Sequence, residues 1–227
     1  ALDATTGAKK WEFESGANIV PSPVVGSDIV YFGSNDRKVN ALDAATGAKT
    51  WEFTTGGEIW ADPSLAGSVV YAASLDHKLY ALDAQTGAKK WEFNAAGLIV
   101  TKPTVAEGII YLAGLSKFYA LDAAGGAKKW EFEASNWIWS NPTVSSGIVY
   151  FGSLDGTVYA LDASTGNLKW NTPFKTGGPV RSAIVVDGGI AYFGAGDFKV
   201  YAVDAAKGTA IWTRATGNRV LASPSVA

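Results

Sequence analysis

Seven side chains of this 227-residue sequence could bind a ligand, and they stand where a repeated segment changes from copy to copy. The segment reads PSPVV, ADPSL, TKPTV, SNPTV, RSAIV and ASPSV in successive copies. A shared structural need would select similar residues in every copy, whereas these positions carry opposite charges and two tryptophans. Together they would form a polar surface edged with aromatic rings. The candidate binding residues are Trp60, Asp62, Lys102, Trp139, Asn141, Arg181 and Arg219.

Residue types suited to catalysis are scarce. There is no cysteine, which excludes thiolate chemistry, cysteine zinc sites and disulfides. The single histidine, His77, stands in a predicted turn (SLDHK), and no G-x-S-x-G accompanies it. The main acidic residues outside the repeated turns, Glu58, Asp62 and Glu107, form no recognisable constellation. We therefore predict no catalytic, cofactor-binding or metal-ligating residue, no cofactor, and no enzyme activity.

The composition suits a packed globular protein, with 48% hydrophobic and 18% charged residues. The formal net charge is −2 and the charges are interspersed, so neither nucleic acid nor a polybasic membrane attachment is predicted. No apolar run reaches the length of a membrane span, and the sequence carries no recognisable export signal. The partner is predicted to be a protein.

The elements that position these residues come from an internal repeat of about 40 residues. The string ALDA or AVDA begins at six alanines, and a tryptophan stands ten residues after each of them. The alanines are Ala1, Ala41, Ala81, Ala120, Ala160 and Ala202. The tryptophans are Trp11, Trp51, Trp91, Trp130, Trp170 and Trp212.

Each period is predicted to contain four β-strands. From residue 18 onward the strand segments read NIVPSPVV, DIVYFGS, KVNALDA and AKTWEFTT, with turn residues between them. Four antiparallel strands per repeat are typical of a propeller blade. The sequence thus predicts a single all-β domain over residues 1–227, a β-propeller of four-stranded antiparallel blades.

The repeated aspartate and tryptophan have a structural explanation. Asp43 can accept backbone hydrogen bonds in the turn that follows it, and Gly47 can supply a positive φ. Trp51 then returns on the outer strand, where its large apolar area could fasten neighbouring blades. A structural role is therefore favoured over ligand binding for all six tryptophans.

The sixth blade is predicted to be incomplete. Second-strand sequences such as IVYFG occur five times, whereas the inner segment and the tryptophan strand occur six times. The chain is therefore either a fragment of a larger propeller or a six-bladed ring with a defective blade. An open blade would also permit self-association.

The motif ALDAATGAKTWEF, with VYFGS upstream, resembles the tryptophan-docking motif of the pyrroloquinoline quinone (PQQ)-like β-propeller repeats. Ala41, Thr46, Gly47 and Trp51 match it, whereas Gly125 and Lys207 replace the usual threonine and predict looser docking there. The resemblance implies a bacterial, extracytoplasmic (periplasmic or secreted) protein. Family members include quinoprotein dehydrogenases that hold PQQ with Ca²⁺, an outer-membrane assembly scaffold and kinase-linked sensor domains.

The leading functional prediction is a non-catalytic protein-binding or scaffolding module. The alternatives are a fragment of a PQQ- and Ca²⁺-dependent dehydrogenase and a ligand-sensing domain. In a propeller the seven candidate residues would edge the mouth of the axial channel, and we call them the channel-mouth residues. The competing interpretation, which we favour, is that they only solvate a water-filled channel while Trp60 and Trp139 pack between blades. We align the six copies on the residue before the usual proline. In this alignment Ser182 corresponds to Asp62 and Asn141, and Val180, two residues earlier, corresponds to Trp60 and Trp139.

Overall fold

A computed structural model describes residues 1–226, and this part of the chain is all-β, as the repeat predicts. Twenty strands form five four-stranded antiparallel sheets. Residues 1–226 contain no helix, and hence none that could cross a membrane. The chain divides into two compact units, Ala1–Pro103 with two sheets and Thr104–Ala227 with three.

The sheets of the first unit each follow the chain order, so neighbouring strands in sequence are hydrogen-bonded neighbours in space. The first sheet contains β1 (Val24–Gly26), β2 (Ile29–Gly33), β3 (Lys38–Asp43) and β4 (Lys49–Thr54). The second sheet contains β5 (Ser64–Ala66), β6 (Val69–Ala73), β7 (Lys78–Asp83) and β8 (Lys89–Asn94).

The three sheets of the second unit have the same order. The first of them contains β9 (Thr104–Ala106), β10 (Ile109–Gly114), β11 (Lys117–Asp122) and β12 (Lys128–Glu133). The next contains β13 (Thr143–Ser145), β14 (Ile148–Gly152), β15 (Thr157–Asp162) and β16 (Phe174–Lys175). The last contains β17 (Val185–Asp187), β18 (Ile190–Ala195), β19 (Lys199–Asp204) and β20 (Ala210–Ala215).

A sixth sheet does not form among residues 1–226. The first repeat contributes one isolated bridge, between Leu2 and Lys9, and residues 216–226 contain no strand. The five sheets correspond to the five copies of the second-strand sequence. In each sheet the second strand pairs with the third strand, so a repeat without a second-strand sequence does not form a complete sheet.

The turn after the third strand forms as the repeat predicts. Asp43 Oδ1 accepts hydrogen bonds from the Thr46 hydroxyl at 2.7 Å, from the Thr46 amide at 2.8 Å and from the Ala45 amide at 3.1 Å. The Thr46 bonds, first that of its hydroxyl and then that of its amide, lower the pKa of Asp43 below its usual value. Gly47 closes the turn with φ of +75°, a conformation that an L side chain resists.

Where the threonine is replaced, the turn loses the two bonds of the hydroxyl, which in Thr46 donates to Asp43 and accepts the amide of Ala48. At Gly125 and Lys207 the aspartate of the turn still accepts two backbone N–H groups. The looser docking predicted at Lys207 is not observed, because Trp170 Nε1 still lies 2.9 Å from the carbonyl oxygen of Ala205.

The repeated tryptophan joins each sheet to the next sheet of the same unit. Trp51, on β4, donates its Nε1–H to the carbonyl oxygen of Ala84 at 2.9 Å, just beyond β7 of the next sheet. Its ring lies flat against Gly87, where a Cβ would stand only 2.7 Å from two ring carbons. Glycine is therefore required at this position both for its positive φ and for the close approach of the indole.

The same contact recurs within both units. Trp11 donates to Ala44, Trp130 to Ala163 and Trp170 to Ala205, at 2.9–3.1 Å. Trp170 lies before the short strand β16, because Pro173 cannot donate to the ladder and delays pairing. Trp212 is 37% exposed and lies on β20, in which every residue is at least partly exposed to solvent.

Gly87→Ala should destabilise the protein much more than Gly67→Ala. Both glycines have positive φ, but a Cβ at Gly67 meets no atom within 4 Å, whereas a Cβ at Gly87 overlaps the Trp51 ring. We expect the free energy of unfolding to fall by about 1–2 kcal/mol for Gly67→Ala and by about 2–5 kcal/mol for Gly87→Ala. Urea denaturation followed by circular dichroism measures both, and equal losses would contradict the docking contact.

Buried Tyr150 is expected to make the stability of the second unit depend on pH in alkali. Burial, and next the Asp204 charge, raises the pKa of Tyr150 to about 12, and its hydroxyl donates to the Ala205 carbonyl oxygen at 3.0 Å. Because the folded-state pKa is raised above the ordinary value of about 10, this stabilisation is present below pH 10 and lost as pH rises towards 12. Tyr150→Phe should therefore weaken the dependence of the urea midpoint on pH between 10 and 12. An unchanged slope would contradict this assignment.

Candidate functional site

The channel-mouth residues do not lie on strands. The inner strands β1, β5, β9, β13 and β17 are only three residues long and begin after the variable positions. The predicted inner strand NIVPSPVV was therefore too long at its start. Prolines precede β1, β5, β9 and β13 and cannot donate to a ladder, which accounts for the late start in these four copies, whereas β17 starts equally late without a proline.

The segments before the inner strands alternate between buried and exposed residues. Trp60 is 46% exposed between Ile59 at 0% and Ala61 at 2%. Trp139 likewise stands exposed between buried Ile138 and Ser140. An extended chain points successive side chains to opposite faces. In each such segment two residues are therefore buried in the protein, and the residue between them is exposed to solvent.

The same alternation corrects the alignment of the fifth copy. Val180 and Ser182 are both buried, and Arg181 between them is exposed. Arg181, rather than Val180, therefore corresponds to Trp60 and Trp139. The sequence reading was one residue out because RSAIV has no proline to mark the register.

In the first unit, two of the candidates are held by nearby groups. Trp60 Nε1 donates to Glu58 Oε2 at 2.8 Å, and the half-buried Glu58 stands two residues before the exposed Trp60 in the same segment. Asp62 Oδ1 accepts the backbone N–H of Ser22 at 2.6 Å and so ties two consecutive repeats together. Lys102 is half-buried between the buried residues Thr101 and Pro103. Asp62 thus has a structural role in addition to any role in binding.

In the second unit, the structure brings three of the candidates together. The Arg181 guanidinium lies over the Trp139 ring, 4.7 Å from its centroid. Arg181 and Arg219 both line a cavity of about 140 Å³, together with Pro179, Gly196 and Leu221. The lining contains two guanidinium groups and no carboxylate, and we call Trp139, Arg181 and Arg219 the basic-aromatic cluster. Asn141, half-buried two residues after Trp139, is not among the residues that line the cavity.

Sequence reasoning missed Trp137, which is 46% exposed. It lies two residues before Trp139 on the same alternating segment, so both rings belong to the exposed set. The available signal was its correspondence with Glu58 and Arg219, which are also large and variable. The position of Trp137 lies upstream of the segment that contains the usual proline, and it holds a different residue type in every copy, so the repeat does not mark it.

The residue types of this surface are those that suit contacts with charged and flat apolar groups. Guanidinium groups bind carboxylates and phosphates through paired hydrogen bonds, and indole rings stack on planar or cationic groups. His77 lies in the turn before β7 with φ of +71°, as predicted. Among residues 1–226, no three His, Cys, Asp or Glu side chains are grouped so that they could hold a metal ion.

Repeated four-stranded sheets, joined within each unit by tryptophan contacts, define a β-propeller repeat protein. Two overlapping stretches of the chain, residues 1–101 and 95–226, match the sequence model of a family described as outer membrane protein assembly factor BamB. The chain belongs to this family of PQQ-like propeller repeats. No curated protein sequence matches it significantly.

Solved structures share the fold at low sequence identity. The crystal structure of BamB from Moraxella catarrhalis is 22% identical with a TM-score of 0.80, and the alignment covers 92% of this chain and 65% of that one. The crystal structure of the computationally designed Ika8 protein is 16% identical with a TM-score of 0.85, covering 96% and 68%. The chain thus spans slightly less than two thirds of the length of that BamB. At these identities the likeness shows the fold alone.

The contact between Arg181 and Trp139 should contribute measurably to stability. A cation over an exposed indole contributes about 0.5–1 kcal/mol. We expect that coupling energy from a double-mutant cycle of Arg181→Gln and Trp139→Leu, measured by urea denaturation. Arg214 and Trp212 form a matched pair at 5.9 Å in the same unit, and their coupling should be smaller. Zero coupling between Arg181 and Trp139 would contradict the contact.

Proposed function

We propose that this chain is a non-catalytic propeller module that binds a partner protein through the basic-aromatic cluster. The observation that carries the proposal is the cavity lined by Arg181 and Arg219 beside the Trp139 ring, with no carboxylate in its lining. Two like charges repel each other across a shared cavity unless an anion lies between them. The fitting partner is therefore a segment that offers a carboxylate next to a flat side chain.

Membership of the BamB-described family supports a scaffolding role outside the cytoplasm, in assembly at the outer membrane of a bacterium. The alignment covers only 65% of the Moraxella BamB, so a scaffolding role is a proposal for this chain. We further propose that residues 1–227 act as one domain that needs no cofactor. Two overlapping matches to a single family support this reading.

The finer features of the repeat belong to the same proposal. The six tryptophans act as docking residues, and the chain carries six repeats with an incomplete sixth blade. The single bridge between Leu2 and Lys9, in place of a full strand pair, supports this count. An open blade of this kind also leaves self-association available to the protein.

Peptide binding tests the proposed surface. The probe is a fluorescent peptide of alternating glutamate and tyrosine, and its control is the isosteric peptide of glutamine and tyrosine. We expect saturable binding of the glutamate peptide, weakening with salt, and about fivefold or greater loss in Arg181→Gln and in Arg219→Gln.

The matched control variant is Arg214→Gln, which removes another exposed arginine beside a tryptophan in the same unit. It should leave the dissociation constant unchanged. Equal binding of both peptides, or an equal loss in Arg214→Gln, would show that the cluster does not select the partner.

A further inference from the structure

A cavity of about 400 Å³ lies in the second unit, between the sheet of β13–β16 and the sheet of β17–β20. Its lining comes from the two hairpins that join β13 to β14 and β17 to β18, and from the turn after β19. The lining shares no residue with the cavity beside Arg181. This second cavity is therefore a separate candidate site.

The buried part of the lining is apolar or already hydrogen-bonded. The Tyr150 hydroxyl donates to the carbonyl oxygen of Ala205, which also accepts the Trp170 indole. Ile148 and Val186 supply apolar surface and pack against the core of the second unit. This part of the cavity therefore suits a hydrocarbon chain.

The mouth of the cavity is polar. Ser146 and Asp187 are exposed there, and Ser145 is half-buried. Within residues 1–226 these three side chains form no hydrogen bond or ion pair. Gly188 and Gly189 form the turn beside them and add no side chain that could cover the mouth. The mouth thus offers a carboxylate and two hydroxyl groups to a ligand.

Asp187 is the charged group of the lining, and it differs from the other aspartates of its unit. Each of those accepts hydrogen bonds within the unit: Asp122, Asp155, Asp162, Asp197 and Asp204. Lys207, the lysine nearest to the lining in sequence, pairs with Asp204 at 3.7 Å. A carboxylate that no lysine or arginine of the described chain neutralises attracts a cation to the cavity.

A leucine closes the corresponding cleft of the first unit. Leu65 is the second residue of its inner strand, as Val186 is, and Gly26 is the third residue of its inner strand, as Ser145 is. A Cβ on Gly26 would lie only 2.2 Å from Leu65 Cδ2, so the leucine lies directly against the glycine. In the second unit the serine has a Cβ and valine is one carbon shorter than leucine. The cleft therefore stays open beside Asp187, whose counterpart in the first unit is Ala66.

We propose that this cavity binds an alkylammonium group, either the side chain of a lysine on a partner protein or a free amine of similar length. The hydrocarbon chain lies along Ile148 and Val186. The ammonium group at the mouth donates hydrogen bonds to the Asp187 carboxylate and to the hydroxyls of Ser145 and Ser146. Ammonium fits this set better than guanidinium, because its three donors rotate towards separate acceptors, whereas guanidinium favours two coplanar oxygens of one group.

The test uses the full chain, labelled with ¹⁵N-glycine, and follows the amide resonances of Gly188 and Gly189. The probe is the peptide acetyl-Gly-Gly-Lys-Gly-Gly-amide, and its control is the same peptide with an acetylated lysine. We expect saturable shifts with the lysine peptide, weakening with salt, and none with the neutral control. Pentylamine is the second probe. Saturation by the peptide assigns the source to a partner lysine, and saturation by pentylamine alone assigns it to a free amine.

Two variants locate the site. Asp187→Asn should weaken binding about tenfold, because a charge-assisted hydrogen bond is lost. Its matched control is Asp28→Asn, at an exposed aspartate of the β1–β2 hairpin in the first unit, and it should leave binding unchanged. Val186→Leu supplies the leucine that closes the first unit's cleft, and it should weaken binding about fivefold.

A further variant separates this site from the basic-aromatic cluster. Arg181→Gln should leave binding of the lysine peptide unchanged, and Asp187→Asn should leave binding of the glutamate peptide unchanged. Circular dichroism checks that each variant is folded. Lack of saturation by both probes, or equal losses in Asp187→Asn and Asp28→Asn, would overturn the proposal.

Discussion

The contact of an indole with a glycine and a carbonyl oxygen on the next sheet holds each unit together. A sheet of four strands cannot bury both faces alone, and the third strand, with Val39, Ala41 and Leu42 all buried, is covered on both. The indole of Trp51 contributes about 150–250 Å² of buried surface to that contact. Its N–H meanwhile satisfies the Ala84 carbonyl, so no buried polar group is left unpaired by the close approach.

This fastening leaves other parts of the repeat free to vary. The docking residues are on the third strand, the turn after it and the fourth strand, whereas the segment before the inner strand is anchored by its own buried residues, such as Ile59 and Ala61. The side chain at the exposed position between them makes little contact with the core. It can therefore be tryptophan in one copy and arginine in another without disturbing the sheets, which is why the basic-aromatic cluster could arise on a repeated scaffold.

The local turn interactions were predictable from the sequence. The start of the inner strand and the approach of distant side chains to one another were not. The Asp43 turn and the positive φ of Gly47 follow from neighbouring residues, and both were confirmed. The inner strand was placed too early, because the β-branched run that predicts a strand continues upstream into residues that lie outside the observed strand β1. The approach of Arg181 to Trp139 depends on tertiary geometry across 42 positions of sequence, which no local pattern encodes.

The proposed recognition at the basic-aromatic cluster depends on what differs between the copies of the repeat. Arg181 and Trp139 stand at positions that change from copy to copy, so binding there would depend on charge and would be screened by salt. The repeated docking residues, by contrast, join neighbouring sheets within each unit, so they contribute to this surface only by holding its segments in place.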